Sequence, residues 1–393
     1  MRKVLVLLLI MSFSLLSVSF LSAEENLKIN EDFSNSIAGF GKNILTKEYK
    51  KENTVISPLS IHLALDMLYN GAEGKTEKEM KKTLCYPSNI DKKAISQQSK
   101  LIMDNLKSTD SMVLEIANSL WAKKNVKVKK SFINNSKKYF YAEVKNNTNP
   151  SLINKWVSNK THKKINKIVP EDLQIDTALI NAIYFNGTWF SKFNKDITRD
   201  RYFTTIKGKK IKVPTMYKSE TMPYYENDKY QVAKLSYKGN KMSMYVFLPN
   251  ENSSIDNFVK DFSEDEFLNA SKNLKTKKVN LYLPKFKTEC SFELTESLKE
   301  LGMKSAFGTG ADFSGVADQL FVSKIIHKTY IDVNESGTEA AAVTAVICEL
   351  GASPNSFKVK EISMIVDRPF FFVLSDDESN IPVFMGVITE PKY

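Results

Sequence analysis

His62, His162 and His327 are the only histidines in the chain, and none sits in an HExxH frame or beside paired acidic or cysteine ligands. Metal-assisted hydrolysis therefore lacks its ligand set. Neither a GxSxG elbow nor an SxxK pair occurs, which removes the two commonest serine-hydrolase signatures of secreted proteins. GAEGKT at 71–76 imitates a phosphate loop but leaves two residues between its glycines where GxxxxGKT needs four, so it cannot wrap a phosphate. Cys85, Cys290 and Cys348 are odd in number and far apart, and they give neither a disulfide framework nor a zinc pattern. The sequence offers no catalytic residue, no metal site and no cofactor site.

What stands out instead is NESGTEAAAVTAV at 334–346, which packs a glycine, four alanines and two threonines ahead of a valine tail. Alanine is the best helix former, so propensity alone reads this stretch as a helix. As a strand it is equally ordered. One face would carry Thr338, Ala340, Ala342, Thr344, Val346, Cys348 and Leu350, the other Glu339, Ala341, Val343, Ala345, Ile347 and Glu349. All charge falls on one face, and the uncharged face is small at its leading end, so it could slide between strands without burying a charge. Gly337 before it and GASPNS after it are loop boundaries. A loop written to be a buried strand implies a stored second conformation.

The rest of the chain must position that segment. With 393 residues and 42% apolar composition it can build a large core without cross-links. Arg2 and Lys3, an apolar run from Val4 to Leu16 and small residues up to Ala23 predict a secretory signal at 1–23, leaving a mature domain from Glu24. Without those two cations the net charge falls from +11 to +9. KKNVKVKKSFINNSKK at 123–138 holds seven lysines and no acid, a solvated face or a polyanion site. SPLSIHLALDMLYNG, opened by Ser57 and Pro58, predicts a buried helix that stops at Gly71. INKWVSNKTHKKI predicts an amphipathic helix with Ile153, Trp156 and Val157 inward as core anchors. TALINAIYFNGTWF, MSMYVFLPN, VNLYLPKF and the hairpin PFFFVLSDDESNIPVFMGVI read as strands. Helices interleave with them irregularly, which argues for an α+β fold with large antiparallel or mixed sheets.

KIIHKTYIDVNESGTEAAAVTAV resembles the hinge region of the serpins, inhibitors that trap serine proteases by loop insertion. The resemblance spans nearly the whole mature chain: NTVISPLSIHLALDMLYNGAEGKT, LINAIYFNGTWFSKF, VPTMYK, LPKFK, ELGMKSAF, ADFSGV, DRPFFF and VFMGVI follow in the family's order. It implies a single serpin domain over 24–393, with three β-sheets, about nine helices and an exposed reactive-centre loop at about 335–362. A target protease cuts the loop and becomes esterified to it; the loop then enters the central sheet and distorts the protease before deacylation. Thirteen residues from Thr338 at about 3.3 Å each supply roughly 43 Å of strand for that step.

The resemblance also implies roles for particular residues. The hinge is Glu335, Gly337, Thr338, Glu339, Ala340, Ala341 and Ala342, and Ser57, Ser60, Asn181 and His327 form a polar cluster where the central strands part. Trp189 and Glu335 frame the upper opening. The family's usual spacing from Glu335 puts the scissile bond between Gly351 and Ala352, suited to an elastase-like or subtilisin-like protease; Leu350 is the alternative. Lys358 and Lys360 are further baits, with Pro354 obstructing insertion that reaches them. The partner implied is a serine protease, with cysteine proteases as the alternative, held covalently by a monomer that is secreted or, in a bacterium that retains it, periplasmic, with no nucleic acid and no membrane after signal removal. The competing function is that of a non-inhibitory carrier or chaperone, expected to show proline or charge at the inward-facing hinge positions, where this chain has neither.

Overall fold

The structure, a computed structural model, describes residues 28–338 and 362–393. The expected signal at 1–23, hinge positions 339–342, the bait residues Leu350, Gly351 and Ala352, and Lys358 and Lys360 lie outside the described residues.

The helix Pro58–Tyr69 shows why this sequence coils where it does. Ser57 caps it, its Oγ accepting the Ser60 N–H at 3.1 Å, and Pro58 occupies the first turn, where its missing N–H is no loss. All twelve residues are buried, as expected of a helix apolar on every side. It ends two residues before Gly71. The helix Pro150–Lys160 buries Ile153 and Val157 but leaves Trp156 half-buried, edge-on to Trp121 at 6.0 Å. Trp156 is thus a border residue and not the core anchor its spacing predicts. Nine α-helices occur among the described residues.

Strands are β1 (Thr54–Ile56), β2 (Met112–Ala122), β3 (Glu143–Lys145), β4 (Thr177–Thr188) and β5 (Arg199–Thr204). They continue with β6 (Lys210–Glu226), β7 (Tyr230–Ser236), β8 (Met242–Pro249), β9 (Lys275–Pro284) and β10 (Phe286–Glu293). The last five are β11 (Lys324–Asn334), β12 (Gly337–Thr338), β13 (Ile362–Ile365), β14 (Phe370–Asp376) and β15 (Pro382–Ile388). VNLYLPKF, read as one strand, divides at Lys285 between β9 and β10.

One sheet has six strands in the order β10-β11-β12-β4-β2-β3. The other has nine, in which the 17-residue β6 pairs with β7 through Tyr224–Glu226 and with β9 through Thr215–Tyr224. The three sheets expected are therefore two hydrogen-bonded ladders, because β6 carries one half of the larger sheet into the other. In the six-stranded sheet β11 and β4 run parallel, paired from Lys324–Ala178 to Tyr330–Tyr184. Parallel strands need cover on both faces. The main core, including Leu59, Leu63 and Phe185, covers one face, and a second cluster with Ile153, Val157 and Ile180 covers the other.

Candidate functional site

Above Tyr330 the strands β11 and β4 separate, and the chain turns back between them. Ser336 donates its N–H to Asn334 Oδ1 at 3.0 Å, closing the turn, and Gly337 and Thr338 then pair with both neighbours. Thr338 lies opposite Val333 on one side and Gly187 on the other. Gly337 has φ +155°, and a Cβ there would stand 2.0 Å from the Gly187 carbonyl oxygen. Only glycine fits, by conformation and by space. The first hinge positions are therefore not free loop: Glu335 is buried in the turn, and Gly337 and Thr338 are buried in the sheet.

Aromatic and charged groups hold this turn. Trp189 donates Nε1–H to Asn334 O at 2.9 Å and its backbone N–H to Ser336 O at 3.0 Å, while Phe193 N–H reaches Glu335 O at 2.9 Å. Tyr237 stacks on Trp189 at 4.4 Å and brings its hydroxyl 2.6 Å from Thr338 Oγ1. The Glu335 carboxylate is buried and accepts from Lys285 Nζ at 3.0 Å and Thr198 Oγ1 at 2.9 Å. Burial pushes its carboxyl up, but hydrogen bonds from its own backbone, Lys285 and Thr198 outweigh that and hold it below the usual range. A buried charge is tolerable only when paired in this way.

A second cluster lies lower, beneath strands that are still joined. His327 is fully buried and opposite Asn181 in the register. Its Nε2 accepts the Ser57 N–H at 3.1 Å, so the neutral ring must carry its proton on Nδ1 and donate to Asn181 Oδ1 at 2.5 Å. Asn181 Nδ2 then donates to Ser60 O at 3.0 Å, Ser60 Oγ at 2.5 Å and Asn118 Oδ1 at 2.5 Å. Ser57 Oγ closes the relay on Val383 O at 2.6 Å. The cluster thus ties β11, β4 and β2 to the helix Pro58–Tyr69 with one directed chain of neutral hydrogen bonds, and parting β11 from β4 must break it. The expectation placed these residues where strands part; they sit below that point, under the section from Lys324 to Tyr330 in which β11 and β4 are paired.

Burial alone pushes the His327 imidazole down to about 3 from 6.5. The unfolded chain binds a proton here below pH 6.5 and the native chain does not until about 3. Stability from this site is whole above 6.5 and is lost as pH falls through that window, by about 1.4 kcal/mol per pH unit. The stability difference between the native chain and His327→Gln, from denaturant unfolding, should shrink steadily between about pH 6 and about pH 4. A constant difference would mean that the native ring already titrates normally.

Sequence reasoning missed Tyr237, Asn118, Lys285 and Gly187. Lys285 and Gly187 lay inside quoted motifs, LPKFK and YFNGTWF, without a role. Tyr237 and Asn118 carry no local signal. Among the lysines of 123–138, Lys123 pairs with Asp176, while Lys124, Lys127, Lys129, Lys130, Lys137 and Lys138 are exposed and face no carboxylate among the described residues. Cys85 and Cys290 are free thiols.

The family model for "Serpin (serine protease inhibitor)" matches residues 19–391. A serpin-like protein of Methanosarcina acetivorans is 37% identical over 355 residues, 87% of this chain and 82% of the relative. Human neuroserpin is 34% identical over 363 residues, 87% of each. Among solved structures, the thermophilic serpin tengpin in its native state superposes with TM-score 0.85 at 33% identity, covering 93% of this chain and 95% of tengpin. Human thyroxine-binding globulin gives 0.84 at 25% identity, covering 92% and 99%.

Proposed function

The chain belongs to the serpin family, and on that premise we propose that it is a secreted, monomeric inhibitor that traps serine proteases covalently. The reading rests on one observation above all: a glycine and a threonine already occupy the gap between β11 and β4, with Thr338 wholly buried. A strand begun in this way needs only more small, uncharged residues to lengthen, and the sequence supplies Ala340, Ala342 and Thr344 at the same face.

The protease does the chemistry. Its serine Oγ adds to the carbonyl of the cut bond; the peptide C–N bond breaks, an ester to the loop forms, and the new amine leaves with the serine's proton. The inhibitor supplies the substrate and then the strand movement, which must outrun hydrolysis of the ester. An elastase-like or subtilisin-like target cutting between Gly351 and Ala352 fits a residue without a side chain at that bond. The lysines of 124–138 that face no carboxylate support a polyanion as an additional surface ligand. Incubation with elastase-, subtilisin-, chymotrypsin- and trypsin-like proteases tests the proposal on a denaturing gel, where a covalent band of summed mass is expected with the first two. Absence of any such band across the panel would leave the carrier reading, which the similarity to thyroxine-binding globulin keeps open.

A second measurement follows from the new strand. Heating the chain before and after a single cut in the loop should show the cut form unfolding roughly 10 °C higher or more, since added ladder and buried surface stabilise the folded state alone. An unchanged midpoint would show that the cut loop does not enter the sheet.

A further inference from the structure

We infer that Tyr237 is a positioning residue for loop insertion: its hydroxyl, paired with that of Thr338, is a latch that keeps the hinge seated between β11 and β4 before any protease arrives. The hydroxyls are 2.6 Å apart, and both residues are fully buried. The tyrosine ring cannot swing away. Trp189 stacks on it at 4.4 Å, and Phe185 meets it edge-on at 5.0 Å. Its backbone is equally fixed, with Tyr237 N–H on Met242 O and Lys238 N–H on Thr188 O. A rigid phenol thus presents its one polar atom to the seated Thr338.

Burial pushes the Tyr237 phenol far above its ordinary range, so the latch is a neutral hydroxyl pair at every physiological pH. No charged side chain is needed to hold it. If the hinge leaves, water can replace Thr338 at the phenol, but a hinge that stays without its partner buries an unsatisfied hydroxyl. The pair therefore biases the hinge toward its seat, and the bias is roughly three- to tenfold in the ratio of seated to released forms for a hydrogen bond of ordinary strength.

This logic has a signature that loss of packing would not produce. Tyr237→Phe keeps both ring contacts and orphans the Thr338 hydroxyl; Thr338→Val keeps the shape of the hinge and orphans the phenol. Each single variant should release the hinge. The double variant, Tyr237→Phe with Thr338→Val, leaves two apolar groups in contact and should seat it again. Hydrogen–deuterium exchange at the amides of Gly337 and Thr338, read by mass spectrometry of peptides covering 330–338 in the full chain, measures the seat without any protease. Exchange roughly three- to tenfold faster in each single variant, and near the parent rate in the double, is expected. Unchanged exchange in Tyr237→Phe, or a double variant at least as fast as the singles, would overturn the latch.

The consequence for inhibition rests on the proposed function, whereas the exchange result does not. In association kinetics with an elastase-like protease the single variants should differ from the parent and the double should return toward it. A chain that forms no covalent complex in any form yet shows the exchange pattern would keep the latch and sink the inhibitory reading. The reverse pair of results would do the opposite.

Discussion

Thr338→Arg yields a folded chain that its target cuts and releases instead of one that holds the target. Thr338 has no exposed surface and stands between Val333 and Gly187 with its hydroxyl on Tyr237. A guanidinium there would be buried among aromatic rings with no carboxylate to meet it; Glu335 is already committed to Lys285 and Thr198. Burying the charge costs roughly several kcal/mol, far more than a hinge pairing of two residues returns. The hinge is therefore expelled in the native state, while both sheets, which keep their own ladders, remain. After cleavage the same charge blocks the first step of insertion, and hydrolysis of the ester wins. On a denaturing gel the parent should convert to a covalent complex and the variant to cut inhibitor, with complex reduced at least about tenfold, since each 1.4 kcal/mol in the barrier to insertion is a factor of ten against it. A full yield of complex from Thr338→Arg would mean that insertion does not begin at this residue.

Gly351→Arg should redirect the inhibitor to trypsin-like proteases. On the proposed bond a glycine stands at the cut, so recognition would lean on Leu350 and on the backbone, and a pocket that pairs an arginine would find nothing to bind. Sites built to bond a charged or polar group reject ligands lacking it by roughly 10⁴, so the gain toward trypsin-like enzymes should approach that scale. Insertion should survive, because residue 351 comes after the thirteen residues from Thr338 proposed to form the new strand. Mass spectrometry of the peptide released from the trapped complex gives the bond directly. A parent complex cut at Lys358 or Lys360, or a variant no better against trypsin-like enzymes, would refute the assignment of Gly351 and Ala352.

Local pattern made the elements legible. Apolar runs bounded by turns located β4, β8, β14 and β15, and Ser57–Pro58 located a helix, because each is decided by residues within a few positions. Sheet continuity was not legible: β6 pairs along its length with β5, β9 and β7, and β9 lies far along the chain from it. Trp156 was misjudged because helical spacing says which face is apolar but not where that face runs out: its ring meets Trp121 edge-on and stays half-buried. Ser57, Ser60, Asn181 and His327 could be gathered through the family's order, yet the direction of their hydrogen bonds had to come from coordinates. Tyr237 is 101 residues from Thr338, and no spacing rule joins them. Nor could sequence tell that the hinge is seated, since a segment able to occupy either place is written the same way for both.

Lys285 is the single residue between β9 and β10, so one backbone unit ends the nine-stranded sheet and begins the six-stranded one, and its ammonium holds Glu335. In mechanical terms this is a corner joint with a stay attached. Shear in either sheet displaces the lysine, and a pull on the hinge is shared by both sheets at once. A disturbance in either sheet at this joint therefore has one residue and one ion pair to cross before it meets Glu335.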